Sequence, residues 1–379
     1  MARPIAGPQT LLRSLNGRAI LETLGRRGPL TRSELMAETG LSRTAVTQVL
    51  RMLESAGAVA PAGLDTDTRG PAASRVALHP RLGVAVAVHV DHHAAHVVLV
   101  DPTGAVRAEA HGAFPPHGDR VDHIVDLVGR CRALVAAPLL VAVVGVPGIV
   151  TADGGIRDDQ GPDGGAFRSA LAARLDCPVR VENDVNLAAL AELTSGTGAE
   201  LSSFALLLFD DALGGGIVID GTLHRGFSGV AGEVMYVPQT PLPIGAPVLS
   251  EEVVADLALA HGRPVDAAAA EHLDAAAAGD PAALAMAAEM GRRIVLVAGT
   301  VGLVLDPEAF ILGGTAAHPV LVDAVERVAA EYAAQLPLRF LVSSFGPEAP
   351  LVGAVGEASS ALRVALFNSI LPASDRRSR

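Results

Sequence analysis

The feature that most constrains this chain is an order of apolar runs that occurs twice. Gly83 to Val90 is a near-continuous stretch of small and β-branched residues, His96 to Val100 is a second, and the turn Asp101-Pro102-Thr103-Gly104 leads to a third near Val106. A helical pattern from about Asp119 to Val135 follows, and Leu139 to Val146 is another buried strand, closed by Pro147-Gly148. The order then returns. Phe204 to Phe209, Gly215 to Ile219 and Thr222-Leu223 read as strands, helices follow from Glu251, and Ala309 to Leu312 ends in Gly313-Gly314. Short apolar runs bounded by turn residues are strands. A strand hairpin joined to α/β units, made twice, predicts an α/β body of two lobes around a cleft.

Composition says how such a body is filled. Of 379 residues 50% are hydrophobic, but only 3% are aromatic and Trp is absent, so the core must be built from Ala, Val and Leu. Cys131 and Cys177 are far apart and lack metal-ligand spacing, which fits a reducing cytoplasm and excludes a disulfide framework. No charged-then-apolar leader opens the sequence, and no apolar run is long enough and free enough of polar breaks to span a membrane, so a soluble cytoplasmic protein is expected. The net charge of −12 is unevenly spread: residues 1–78 hold ten Arg against six acidic residues, a net of +4, which leaves −16 for the rest. A basic head on an acidic body places any nucleic acid contact on the head.

The head reads as three helices. Asn16 to Arg27 stops at Gly28-Pro29, and Thr31 or Ser33 caps a second helix that reaches Thr39 and Gly40. Ser42 caps a third, Arg43 to Ser55, with Val46, Val49, Leu50 and Leu53 on one face. Two short helices joined through a Gly-containing turn make a helix-turn-helix, with a small helical protein-interaction module as the alternative. In such a motif Ser42, Arg43, Thr44, Thr47 and Gln48 are placed to reach base edges, and Arg51 a phosphate. Ala58 to Ala60 and Arg75 to Leu78 are candidate wing strands. Arg69, in the polar tip between them, either enters a minor groove or belongs to a solvated loop.

At Val181-Glu182-Asn183-Asp184-Val185-Asn186 a strand hands over to a helix, where α/β sheets carry ligand-binding groups. Asn183 and Asp184 suit that role and equally suit a helix cap. Together with Val144-Gly145-Val146-Pro147-Gly148, Gly221-Thr222-Leu223-His224-Arg225-Gly226, Gly229-Val230-Ala231-Gly232-Glu233, Asp306-Pro307-Glu308 with Ile311 to Gly314, and Phe345-Gly346-Pro347 with Leu351 to Gly353, this segment resembles the landmarks of the ROK family (repressors, open reading frames and sugar kinases). The resemblance covers essentially the whole chain. It implies a winged helix-turn-helix (1–78) followed by a two-lobed actin-like, hexokinase-like (ribonuclease H-like) body, with a first lobe of 79–187 to which a C-terminal helix 356–373 returns, and a second lobe of 188–355.

By that resemblance Asn183, Asp184 and Glu233 hydrogen-bond sugar hydroxyls, and Asp184 stands at the kinase base position. The family's usual His is replaced by Tyr236, and its later Glu corresponds to Glu251, with Ser250 an equal alignment. Both phosphate loops depart from the family pattern. The first reads Asp91-His92-His93-Ala94-Ala95 without glycines, and the second reads Asp210-Asp211-Ala212-Leu213-Gly214-Gly215-Gly216, whose two carboxylates would repel a triphosphate. No catalytic residue and no cofactor is therefore expected. The Cys cluster of the zinc-bearing branch is absent between Val237 and Ala246, so no zinc is expected either. His92 and His93, at strand spacing, point to opposite faces and make no metal site with His96. Ala267 to Ala278 reads as a solvated helix or helical pair, and Ser374 to Arg379 as a charged tail. The implied function is a DNA-binding transcriptional regulator, a repressor of sugar-related genes. It would bind a double-stranded operator as a homodimer or homotetramer and take a sugar or sugar derivative as effector. A regulator that answers another metabolite or a partner protein, and a sugar kinase with an added head, are the rivals.

Overall fold

A computed structural model describes residues 8–65, 73–115, 119–158, 161–163, 165–239, 242–243 and 245–370. The chain forms two compact units: Met1–Val144 with Ala166–Val181 and Ala354–Arg379, and Gly145–Gly165 with Glu182–Gly353.

The first unit begins with α1 (Pro8–Arg27), β1 (Leu30–Thr31), α2 (Arg32–Thr39), α3 (Arg43–Ser55), β2 (Val59–Asp65) and β3 (Ala73–Leu78). Thr31 takes the cap of α2: its hydroxyl accepts from the Glu34 N–H at 3.2 Å while the Glu34 carboxylate accepts from the Thr31 N–H at 2.7 Å. Gly40, at φ 69°, ends α2, and Ser42 caps α3 by accepting from the Ala45 N–H. Ile20, Leu21, Leu24, Leu35, Leu50 and Leu53 fill the space between the helices. The wing strands are longer than the sequence suggests, and Leu30–Thr31 adds a third strand by pairing with Val76 and Arg75. The wing tip, with Arg69, lies outside the described residues.

The same unit continues with β4 (Val84–Val90), β5 (Ala94–Val100), β6 (Val106–Ala113), α4 (Arg120–Arg132), β7 (Leu139–Val146), α5 (Ala166–Leu175) and β11 (Val179–Asn183), the short β8 (Ile149–Val150), β9 (Ile156–Asp158) and β10 (Gly161–Pro162) intervening in the chain. Its sheet has the order β11-β7-β4-β5-β6, and β4 is apolar on both faces because the sheet is covered on both. His92 and His93 lie in the β4–β5 turn, so the strand-spacing argument about them does not apply. His96, on β5, bonds Glu109 at 2.6 Å.

The second unit carries α6 (Asp184–Ser195), β12 (Phe204–Phe209), β13 (Leu213–Ile219), β14 (Thr222–Leu223), α7 (Glu251–Ala260), α8 (Ala269–Ala277), α9 (Pro281–Leu305), β15 (Ala309–Gly314), α10 (Pro319–Tyr332) and β16 (Phe340–Val342), in a sheet of order β14-β13-β12-β15-β16. Its core joins Phe209, Leu257, Met286, Ile294, Phe310 and Leu321. The Ala-rich segment is not simply solvated: α8 buries His272, whose Nδ1 accepts from Arg263 Nε at 2.9 Å, and burial lowers the His272 pKa.

The last helix, α11 (Ala349–Ile370), begins seven residues earlier than the sequence suggested. With the turn before it, the stretch Gly346–Ser369 is long and apolar enough to cross a membrane by length and composition, which corrects the expectation that none is. Its apolar character serves packing, since 61% of its most apolar 18-residue window is buried within the protein. Arg363 inside it pairs with Glu22 at 2.7 Å.

Candidate functional site

Helix α3 presents two faces. Val46, Val49, Leu50 and Leu53 are buried, while Ser42, Arg43, Thr44, Gln48 and Arg51 are exposed and Thr47 is half-buried. Some arginines of the head are paired and others are open. Arg27 and Arg32 pair with Glu38 and Glu54, and Arg75 with Glu34, whereas Arg43 and Arg51 have no carboxylate partner among the described residues. A guanidinium left unpaired on a recognition helix is free to take a phosphate or a guanine edge. The Ser42 oxygen caps its own helix, which leaves its hydroxyl proton to donate.

The second cluster is built at the β11–α6 junction. Asn183 is the cap of α6, its amide oxygen accepting from the Asn186 N–H at 2.9 Å, and its amide nitrogen donates to the Gly148 carbonyl at 3.1 Å. It therefore ties together two of the segments singled out in the sequence. Glu182, to which sequence reasoning assigned no role, organises the junction. One of its oxygens accepts from Asn183 N–H and from Asn186 Nδ2, both at 3.0 Å, and the other accepts from Arg225 Nε at 2.6 Å. Its place at the head of the Glu-Asn-Asp-x-Asn run was the available signal.

Asp184 follows as the first residue of α6, its carboxylate accepting from the Val185 N–H at 2.8 Å. Burial raises its pKa to about 7 against that hydrogen bond, and the negative charges of Asp210 and Glu233 add to the rise. Burial also raises Glu233. Asp210 is exposed as a residue, yet packing around its carboxylate, which lies beside Gly314, and then the Asp211 charge push it up to about 6. None of Asp184, Asp210 and Glu233 has an ion pair among the described residues, so protonation is what offsets their charge.

Two glycines of the Gly229-to-Glu233 run are held by close backbone approach. Gly232 has φ +100°, and a Cβ there would lie 2.0 Å from the Gly215 carbonyl; Gly229 has φ +85°, and a Cβ there would lie 2.2 Å from the Val150 carbonyl. Tyr236 ends a short 3₁₀ turn just beyond Glu233 and is 44% exposed. Glu251 is exposed in the first turn of α7, while Ser250 caps that helix through the Val253 N–H. The Glu251 N–H bonds the Asp211 carbonyl at 2.9 Å, which ties α7 to the Asp210–Asp211 turn.

The two loops compared with phosphate cradles are otherwise engaged. The Asp91 carboxylate accepts from the N–H groups of His93 and Ala94 at 2.6 and 2.7 Å, using the donors an anion would need. Gly214, Gly215 and Gly216 are strand residues, as the reading of a strand from Gly215 expected for two of them, so the phosphate-loop reading of Asp210–Gly216 is corrected. They lie within β13, where a Cβ at Gly214 would meet Val185 at 2.6 Å and one at Gly216 would meet Ala189 at 2.5 Å, so they let α6 lie on the sheet. Among the described residues no group of three or more His, Cys, Asp or Glu could hold a metal ion.

The ROK family profile matches residues 86–359, and a winged helix-turn-helix DNA-binding profile matches residues 13–60. The chain is 24% identical over 246 residues to the DNA-binding transcriptional dual regulator NagC of Escherichia coli, an alignment spanning 62% of this chain and 60% of that protein. Among solved structures, a ROK family transcriptional regulator described as a homolog of the E. coli MLC protein superposes with a TM-score of 0.78 at 21% identity, over 95% of this chain and 98% of that one. A ROK family glucokinase from Streptomyces griseus, in complex with glucose and AMPPNP, superposes with a TM-score of 0.60 at 23% identity, over 73% of this chain and 99% of that one.

Proposed function

The chain belongs to the ROK family and carries an N-terminal winged helix-turn-helix, and on that premise we propose that it is a sequence-specific DNA-binding repressor whose ROK body takes a sugar or sugar derivative and transfers no phosphate. The observation that carries the DNA-binding half is the exposed face of α3, with Arg43 and Arg51 unpaired beside Gln48, Thr44 and Thr47. Such a regulator works in the cytoplasm. One helix-turn-helix reads too few bases for specificity, so two heads of a homodimer or homotetramer read half-sites about one helical turn apart. The effector groups are Asp184 and Glu233, with Asn183 holding the junction and Tyr236 and Glu251 at its margin. A sugar there acts on the operator only by binding two arrangements of the protein unequally.

The loss of phosphoryl transfer rests on charge and on donors. Asp210 and Asp211 stand where a triphosphate would need cations, and Asp91 occupies the N–H groups of its own turn. The test of the DNA reading is a binding series on the footprinted segment upstream of the protein's own gene. Arg43→Ala and Gln48→Ala each cost roughly 1–3 kcal/mol on the operator and relax preference at one base pair. Arg51→Ala weakens all sequences alike and lowers the salt slope by about 1. Equal, salt-independent losses from all three would sink the assignment. ATP-dependent phosphorylation of a hexose, abolished by Asp184→Asn, would restore the kinase.

A further inference from the structure

Helix α1 of the head carries glycines at two interior positions, Gly17 and Gly25, where glycine weakens a helix and needs a reason. The reason is α11. A Cβ at Gly17 would lie 2.1 Å from the Phe367 ring, and one at Gly25 would lie 2.7 Å from the Arg363 guanidinium. Between them stands Glu22. Its Oε2 accepts from Arg363 Nε at 2.9 Å and from Nη2 at 2.7 Å, while its Oε1 accepts from the Ser360 hydroxyl at 3.1 Å. The remaining guanidinium nitrogen, Nη1, donates to the Pro102 carbonyl at 3.3 Å in the β5–β6 turn. That turn is itself fixed, because the buried Asp101 carboxylate accepts from the Thr103 N–H at 2.8 Å. Arg363 has 8% of its side chain exposed, and Phe367 is fully buried in the same cluster as Ile20, Leu21, Leu24 and Leu53.

One guanidinium thus clamps the head to the β5–β6 turn, and one aromatic ring from the far end of the sequence completes the head's core. We propose that Arg363 and Phe367 are positioning residues for DNA recognition: α11 holds the head, and with it α3, in one orientation on the sheet of β4–β6, so that the spacing of operator half-sites is set by this junction and not by a flexible tether at residues 79–83. The spacing part rests on the two-headed reading above. The junction itself does not.

The test therefore has two arms, both on the full chain. In the first, spin labels at Ser55→Cys and Leu134→Cys, both exposed positions, report the distance from the end of α3 to the end of α4 by pulsed electron resonance. The unmodified background gives one narrow distribution, Arg363→Met and Phe367→Ala broaden it, and Arg363→Lys gives an intermediate width. A broad distribution in the background, or one as narrow in both variants as in the background, overturns the proposal. Where Phe367→Ala does not fold, Arg363→Met and Arg363→Lys carry the comparison. In the second arm, the footprinted operator is given 2 bp between its half-sites. The wild type loses at least tenfold in affinity, whereas Arg363→Met loses threefold or less and binds an isolated half-site within twofold of wild type. Equal losses in both proteins overturn the role in spacing. A wild type that binds one half-site as tightly as two removes the two-headed reading and with it the spacing claim, while the label distances still decide the junction.

Discussion

Replacing Asp184 by Asn is expected to make the protein more stable above neutral pH and, on the function proposed above, to weaken sugar binding. The Asp184 pKa rises from 3.8 to about 7 through burial and the charges of Asp210 and Glu233. At about 1.36 kcal/mol per pH unit the rise corresponds to roughly 4 kcal/mol against the ionised form. Part of that is shared with the other two carboxylates and part is relieved by the solvent that reaches the site. Asn also gives up the attraction of a carboxylate for the start of α6, about 0.5 kcal/mol. A net gain of about 1–2 kcal/mol remains, or roughly 3–6 °C in the melting of the second unit. The sign follows from the direction of the shift. Because the folded state holds the proton more tightly, wild-type stability is complete below about pH 4 and is lost as pH rises towards 7. The gap between Asp184→Asn and wild type is therefore small at pH 4, partly open at pH 5 and full at pH 8, as followed by thermal unfolding at the three pH values. A gap that does not change with pH, or a variant less stable than wild type at pH 8, would refute the electrostatic account. A gain in stability joined to a loss of sugar binding would mark Asp184 as kept for function at a cost to the fold.

Three further outcomes follow from the geometry. Gly232→Ala places a Cβ 2.0 Å from the Gly215 carbonyl at a φ of +100° and costs about 3 kcal/mol or more, read as a fall in melting temperature or in soluble yield. Thr31→Ala removes the side-chain half of the α2 capping box and costs about 1 kcal/mol, measured by chemical denaturation of the head's signal. Asp210→Gly removes the carboxylate beside Gly314, and titration calorimetry with AMPPNP and magnesium should show at least a tenfold gain in nucleotide affinity over wild type, equivalent to about 1.4 kcal/mol. No gain would refute the argument that the Asp210 charge is what keeps a nucleotide away.

Much of the fold was legible because its signals are local. Ser42 and the apolar spacing of Val46, Val49, Leu50 and Leu53 give α3 its bounds, and Leu139–Val146, Phe204–Phe209 and Thr222–Leu223 are strands where the apolar runs place them. What the sequence concealed is non-local. Two residues, Leu30 and Thr31, become a strand only because Arg75 and Val76 lie beside them. Gly17 and Gly25 look like flaws in a helix until Phe367 and Arg363 are placed against them. At Asn183 the two rival readings share one side chain, whose oxygen caps α6 while its nitrogen reaches the Gly148 carbonyl.

The glycines of Gly214-Gly215-Gly216 show why composition alone misleads at such a site. A glycine is needed wherever backbone must come close to something, and sequence does not say whether that is a phosphate or another part of the protein. Here the partners are Val185 and Ala189 of α6 and the backbone at Gly232, so the run brings the helix that begins with Asp184 and the segment that carries Glu233 onto the same strand. The convergence of those two carboxylates is thus a packing consequence of three absent side chains. Burial there is the first cause of their raised pKa values, the charges of Asp210 and then Glu233 adding at Asp184, and a proton or a ligand that donates hydrogen bonds would relieve it.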